Sequence, residues 1–315
     1  MLDRSLAARC EILTRSQNAS AEQSRGWTFG FSGLGIRKTI GLSRSSVPRW
    51  QTSGPRLPAF LGMLGPFTRR RFVALGLRGA VGAICAQTLA RRAQAATGAR
   101  LRARPAKPKQ RAQPGRHAFG LGGTRDGYLL VPASYNPGKP VPFILMLHGA
   151  RGSEGLETFC EAAAKDGIAV AVPESRGRTW DRIKGPFGPD IDFLERVLAY
   201  VFERLAVDPR HLAIAGFSDG GSYSLSVGLT NGDLFSHVIA YSPEFVSAPI
   251  RYGKPPIFIT HGVQDPVLSV NFSENMVRQL ERSGYHVEFK EFSGGHFMRP
   301  DLVKESFRWF AGTSR

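Results

Sequence analysis

From about residue 116 onward, short unbroken apolar runs alternate with longer stretches in which apolar residues recur every three to four positions. The runs at 143–147, 168–172, 212–215, 237–241, 257–260 and 287–292 have strand length, and the stretches at 153–166, 190–205, after Ser218, at 271–283 and at 301–310 have helical spacing. Two further runs, 117–119 and 128–131, flank the glycine-rich LGGTRDG and predict a hairpin. Strands alternating with helices in this way predict an α/β fold, a mainly parallel sheet of about eight strands covered by helices on both faces. About 200 residues suffice for one such domain and not for two.

The chain before residue 116 carries no sustained period. Residues 1–62 scatter serine, arginine and glycine and predict disorder. Next, Thr68-Arg69-Arg70-Arg71-Phe72-Val73 precedes a mildly apolar stretch at 74–90 and the triplet Ala93-Gln94-Ala95. A basic start, an apolar core and a small-x-small site are the parts of an export signal, here over 63–95. Paired arginines before an aromatic, with a core rich in glycine and alanine, resemble the twin-arginine kind, whose cargo crosses the membrane folded. Arg78 and the Arg91-Arg92 pair depart from that pattern. Gly76, Arg78, Gly79 and Gly82 interrupt the stretch too often for a stable membrane anchor.

An export signal stands at the start of a chain, so translation is expected to begin at Met63, with 1–62 an over-extended reading of the gene. Residues 96–115, basic and rich in Pro and Ala, predict a disordered tether. The export machinery is the partner expected for this leader, and the periplasm or the medium the expected location, or the cytoplasm where the leader goes unused.

Charge changes meaning once the chain is divided. The net charge of +17 suggests a nucleic acid or a membrane surface. Residues 1–116, however, hold 22 of the 42 Lys and Arg and three of the 25 acids, so 117–315 carries 20 basic and 22 acidic residues. The folded part is close to neutral, and the basic leader lacks the interleaved aromatics of a nucleic-acid arm. No nucleic-acid partner is expected. Of the three cysteines, Cys10 and Cys85 fall in the leader, leaving Cys160 as a small buried hydrophobe on a helix and no internal disulfide. No His, Cys or Asp spacing fits a metal, and no cofactor is implied.

The chemistry gathers at the ends of the predicted strands. Residues 212–215 run into Gly216-Phe217-Ser218-Asp219-Gly220-Gly221, a G-x-S-x-G turn between a strand and a helix, whose glycines let the chain reverse so sharply that the Ser218 hydroxyl stands exposed as a nucleophile. The same kind of string at Gly30-Phe31-Ser32-Gly33-Leu34 lacks both the strand and the closing glycine, so the motif needs partners. Three strand ends offer them: His148-Gly149-Ala150-Arg151-Gly152 as a turn of backbone N–H groups, Asp265 after His261-Gly262, and His296 after Gly294-Gly295. Asp265 before Pro266 also suits a turn former, and His296 a surface histidine. Asp190 and Asp192 open a helix as caps, and His148 and His261 shape their turns. Arg151 and Trp180 are the candidate pocket residues, Trp180 with a core position as its alternative.

With LHGARG at 147–152, GFSDGG at 216–221, HGVQDPV at 261–267 and GGH at 294–296, the sequence resembles the α/β-hydrolase superfamily and, within it, the small phospholipase/carboxylesterase-type esterases. The resemblance covers 116–315. It implies Ser218 as nucleophile, His296 as general base, Asp265 as its orienting acid, and an oxyanion hole from the backbone N–H groups of Ala150 and Asp219. A serine hydroxyl attacks at neutral pH only if an imidazole takes its proton, and the imidazole needs a carboxylate to hold its tautomer. Residues 242–255 are too few for the lid that many lipases of this superfamily carry, so little or no lid is expected. An open site favours small or projecting esters over bulk lipid. The expected function is a serine carboxylesterase acting through an acyl-enzyme on a small-molecule ester or thioester. The alternatives are a thioesterase, a polyester or feruloyl-type esterase, or a non-catalytic hydrolase-like binding domain.

Overall fold

The computed structural model of the chain describes residues 99–312. The predicted hairpin is β1 (Gly115–Ala118) and β2 (Gly127–Val131), followed by β3 (Val141–Leu147), α1 (Glu157–Lys165) and β4 (Ala169–Pro173). A one-turn helix, α2 (Asp181–Lys184), precedes α3 (Pro189–Phe202), β5 (Val207–Phe217) and α4 (Asp219–Thr230). Then come β6 (His237–Tyr241), β7 (Ile257–Gly262), α5 (Val270–Arg282), β8 (Val287–Phe292) and α6 (Pro300–Phe310). The strands form one eight-stranded sheet in the order β1-β2-β4-β3-β5-β6-β7-β8, antiparallel at β1, β2 and β4 and parallel from there on. The α/β architecture, the helices on both faces and the sheet are as the sequence predicts. The short helix α2, which lies in a stretch without periodicity, is additional, and β5 starts five residues earlier, at Val207.

Alternate residues of each central strand feed two cores. Phe143, Leu145 and Leu147 of β3, with Leu212 and Ile214 of β5, pack on one face against apolar residues of α3, α4 and α5. Ile144 and Met146, with Ala213 and Ala215, pack on the other face against α1 and α6. These runs are apolar throughout because both faces are covered. Cys160 lies in the second core as expected, accepting a 3.5 Å hydrogen bond from the Tyr128 hydroxyl, and burial pushes its thiol up to about 11. Among the described residues no helix is long and apolar enough to cross a membrane.

The segment expected as a tether lies against the body where it is described. Ala99 and Leu101 are buried. Leu101 N–H donates to Asn231 Oδ1 and Asn231 Nδ2 donates to Ala99 O, both at 2.8 Å. Arg100 and Arg104 pair with Asp233 at 2.7 and 2.9 Å, and Arg102 N–H donates to Glu195 at 2.7 Å. Further along, the N–H groups of Lys109 and Gln110 both reach Glu203 O at 2.9 Å. The basic, proline-rich composition reads as solvent-facing because the acids that neutralise it lie about a hundred residues away in sequence. The folded body therefore begins by residue 99, not 116. The expected export signal, the start at Met63 and the upstream segment lie outside the described residues.

At the amino-terminal end of β6, the His237 ring stands edge-on to Trp309 and Phe310 of α6, at 5.0 and 5.2 Å, and stacks 6.5 Å from His211, which pairs with Asp208. Burial, and then the neighbouring His211, push the His237 imidazole down to about 4. The unfolded chain takes up this proton near pH 6.5, so between about 6.5 and 4 it binds more protons than the folded one. Stability is therefore expected to fall as pH drops through that window. Urea unfolding of the wild type and of His237→Gln at pH 7.5, 6 and 4.5 checks this: the variant should show a shallower decline.

Candidate active site

Ser218 sits between β5 and α4 with φ 56° and ψ −120°, a backbone conformation that a non-glycine residue rarely adopts. Its N–H donates to Tyr241 O at 2.9 Å, and its carbonyl accepts from Ser222 N–H at 3.0 Å. The glycines around it are required by space. A Cβ on Gly216 would lie 2.1 Å from Gly220 O, and one on Gly220 would lie 2.3 Å from Leu147 O. The turn is thus pressed against its own strand and against the end of β3. Asp219 is the first residue of α4, so its N–H has no acceptor within the helix and points toward the space before it.

Two other strand ends converge on Ser218. A Cβ on Gly262 would lie 2.4 Å from both Gly294 O and Gly295 O, so the loops after β7 and β8 touch backbone to backbone. Val263 N–H donates to Phe292 O at 2.9 Å and Gln264 N–H to Gly294 O at 3.0 Å, which locks the contact. His296 Nε2 is then 2.9 Å from Ser218 Oγ, and His296 Nδ1 is 2.6 Å from Asp265 Oδ2. Since the carboxylate only accepts, Nδ1 carries the proton and Nε2 is free to accept from the serine. The Asp265 side chain is fully buried, and its Oδ1 accepts from the N–H groups of Val267 and Leu268 at 2.8 and 2.9 Å. Burial alone would raise its pKa, but the Leu268 amide and the His296 and Val267 hydrogen bonds outweigh it and hold the carboxyl below its usual value.

His261 does more than shape its turn. Its buried ring places Nε2 2.9 Å from Leu268 O and 3.3 Å from Asp265 Oδ2, while Nδ1 is 2.7 Å from Ser273 Oγ. Both Nε2 neighbours are acceptors, so Nε2 carries the proton and Nδ1 accepts from the Ser273 hydroxyl. Burial pushes this imidazole down, keeping it neutral. Its spacing in H-G-x-x-D was the signal available in the sequence.

The turn at His148 is held from below. His148 is buried, its Nδ1–H donating to Gly149 O at 2.6 Å and its Nε2 accepting from Ser175 N–H at 2.9 Å. Glu174, just after β4 and absent from the sequence-level candidates, accepts from the hydroxyl and the N–H of Ser153 and pairs with Arg125 at 2.7 Å. These bonds fix the Gly149–Gly152 bridge, on which Ala150 and Arg151 ride.

Trp180 takes its core alternative and does not line the pocket. It is fully buried, donates from Nε1 to His148 O at 2.8 Å and stacks 5.2 Å from Tyr223. The neighbouring Thr179 hydroxyl donates to Asp219 Oδ2 at 2.6 Å, turning that carboxylate toward the loop. Asp190 does not cap its own helix either: it accepts from Arg176 N–H at 2.5 Å and Asp181 N–H at 2.7 Å. The cap comes from Asp181, whose Oδ2 accepts from the N–H groups of Gly188 and Asp190 at 2.8 and 3.0 Å. Arg151, by contrast, does line the cavity of about 950 Å³ that opens at Ser218 and His296. Among the described residues no group of three or more His, Cys, Asp or Glu could hold a metal ion.

Residues 190–307 match a family described as Phospholipase/Carboxylesterase. Feruloyl esterase C of Emericella nidulans is 26% identical over 157 residues, covering 47% of this chain and 57% of its own length. Acyl-protein thioesterase 1 of Neurospora crassa is 34% identical over 95 residues, 27% of this chain and 39% of its own. The chain spans about half the length of the curated relatives it matches. The crystal structure of esterase PE8 superposes with a TM-score of 0.51 at 20% identity, covering 61% of this chain and all of that one. A doubly covered sheet, a serine turn after its fifth strand and the likeness to an esterase structure give the chain the α/β-hydrolase fold.

Proposed function

We propose that the chain is a carboxylic ester hydrolase that works through an acyl-enzyme on Ser218. The observation that carries this is the continuous path from Ser218 Oγ through His296 to a buried, ionised Asp265, with links of 2.9 and 2.6 Å. Attack by Oγ on the ester carbonyl passes the serine proton to His296 Nε2, and Asp265 stabilises the imidazolium through Nδ1–H. Negative charge then develops on the former carbonyl oxygen. The N–H groups of Ala150 and Asp219 are its donors in this reading, each worth about 3 to 4 kcal/mol in a preorganised site. Collapse expels the alcohol, which takes the proton from His296, and a water activated by the same imidazole releases the acid.

Thioesters fit the same machinery, and the similarity to an acyl-protein thioesterase supports including them beside oxygen esters. The likeness to a feruloyl esterase supports esters of aromatic acids in the same way. The composition of 63–95 supports export to the periplasm or the medium.

Hydrolysis of p-nitrophenyl acetate and butanoate by the protein and by Ser218→Ala tests the reading. The wild type should turn over at least one of them and be labelled by a fluorophosphonate. The variant should lose at least about 10³-fold in kcat and resist labelling, and a Ser218→Ala protein as active as the wild type would sink the mechanism. A second expectation concerns His261 as a positioning residue. His261→Leu removes a donor from the carboxylate and should lower kcat roughly tenfold or more with KM little changed. His261→Gln, which keeps a donor, should recover part of the loss. Equal kcat in wild type and His261→Leu would reduce His261 to a turn former.

A further inference from the structure

The cavity at Ser218 and His296 is also lined by residues of α1 and α6, which form a groove leading from the serine. Thr158, Ala162 and Lys165 recur at helical spacing on its α1 wall, and Pro300, Val303 and Lys304 on the facing wall of α6. The floor is apolar: Leu156 and Phe159 are buried there, and the Phe159 ring stands edge-on to Phe307 at 5.0 Å. Phe217 and Met298 continue that lining back toward Ser218 and His296. From Thr158 to Lys165 the α1 wall runs for about 10 Å at the rise of an α-helix, in addition to the Gly149–Leu156 stretch nearer the serine. An acetyl group occupies only the first part of such a space.

The rim tells what else the occupant should be. Arg151, Lys165 and Lys304 line it together with Glu154, Glu161 and Asp166, so the two signs are balanced. A groove with an apolar floor and no net charge around it selects an uncharged ligand and gives no Coulomb preference to a dicarboxylate or a polyphosphate conjugate.

We propose that this groove binds one arm of the substrate, an elongated, uncharged, apolar chain of medium to long length, whose near end places the ester carbonyl at Ser218. The inference rests on the esterase reading and deepens it. The chain can be the acyl or the alcohol part of the ester, and each has its own substrate series.

The test measures kcat/KM for p-nitrophenyl esters from acetate to dodecanoate and for acetates of alkanols from ethyl to dodecyl, all below their micellar concentrations. Wild type, Ala162→Trp and Thr158→Trp are compared. Burial of each methylene adds up to roughly fourfold, so one series should rise at least about tenfold between its two-carbon and eight-carbon members. The series that rises identifies the arm. Ala162→Trp fills the middle of the groove and should lower the eight-carbon to two-carbon ratio at least fivefold, and Thr158→Trp should lower it in the same direction. Taking the ratio within one variant cancels any loss of folded protein. Flat series in the wild type, or ratios unchanged in both variants while acetate is turned over, would overturn the groove proposal and leave the esterase reading standing. No turnover of any ester, with no fluorophosphonate label on Ser218, would overturn both.

Discussion

Leu147 O, Gly220 O and the carbonyls of Gly294 and Gly295 stand at 2.1 to 2.4 Å from where a Cβ would be on Gly220, Gly216 and Gly262. No side chain fits in any of these three places; two of them are junctions between strand ends and the other closes the serine turn on its own strand. The first two press the Ser218 turn onto β3 and β5, which is how a residue with φ 56° is kept in a conformation it would leave if free. The third presses the Asp265 loop onto the His296 loop. Since Asp265, His296 and Ser218 come from three separate strand ends, their 2.6 and 2.9 Å spacings are only as good as these backbone contacts. Side chains meet because main chains have been allowed to touch.

The same geometry sets the electrostatics. A fully buried carboxylate is costly unless hydrogen-bonded, and Asp265 has the Val267 and Leu268 amides on one oxygen and His296 and His261 on the other. Its ionised form is favoured against desolvation, which is what an orienting acid requires. Glu174 follows the same logic under the neighbouring turn, with burial opposed by the Ser153 hydrogen bond and the charges around it, so that its pKa is also lowered. The two buried histidines next to these carboxylates are pushed toward neutrality and act as directional hydrogen-bonding groups, not as cations.

What the sequence discloses follows from the range of each interaction. Strands such as β3 and β7 are legible because covering on both faces makes them apolar without a break. The G-x-S-x-G turn is legible because the conflict of Gly216 with Gly220 O lies within five residues, whereas that of Gly220 with Leu147 O is not local. H-G-x-x-D and G-G-H are legible as strand-end punctuation, but nothing local says that Gly262 meets Gly294. Trp180 was open between pocket and core because its partners, His148 O and the Tyr223 ring, lie 32 and 43 residues away. Asp190 looked like a cap because it opens a helix. It is drawn instead to the amides of Arg176 and Asp181, while the cap is supplied from nine residues upstream. The segment from residue 99 read as a tether for a related reason, since its counter-charge, Asp233, and the Glu195 carboxylate that accepts from its backbone are invisible to composition.

The two cores divide the labour of the fold. The core under α3, α4 and α5 backs the serine turn and takes the incoming segment at Leu101. The core under α1 and α6 is built around Phe159, Phe307 and Phe310, and its upper edge is the groove. Precision is needed at the reacting atoms, where buried, multiply bonded groups converge. Breadth is tolerable along the groove, where Ala162 is half-buried and Lys165 and Lys304 are exposed. A substitution in the groove wall therefore meets solvent and a few side chains, whereas one at Gly216 or Gly262 meets main chain. On this scaffold the groove can change by mutation at exposed helix positions without disturbing the spacing of serine, histidine and aspartate.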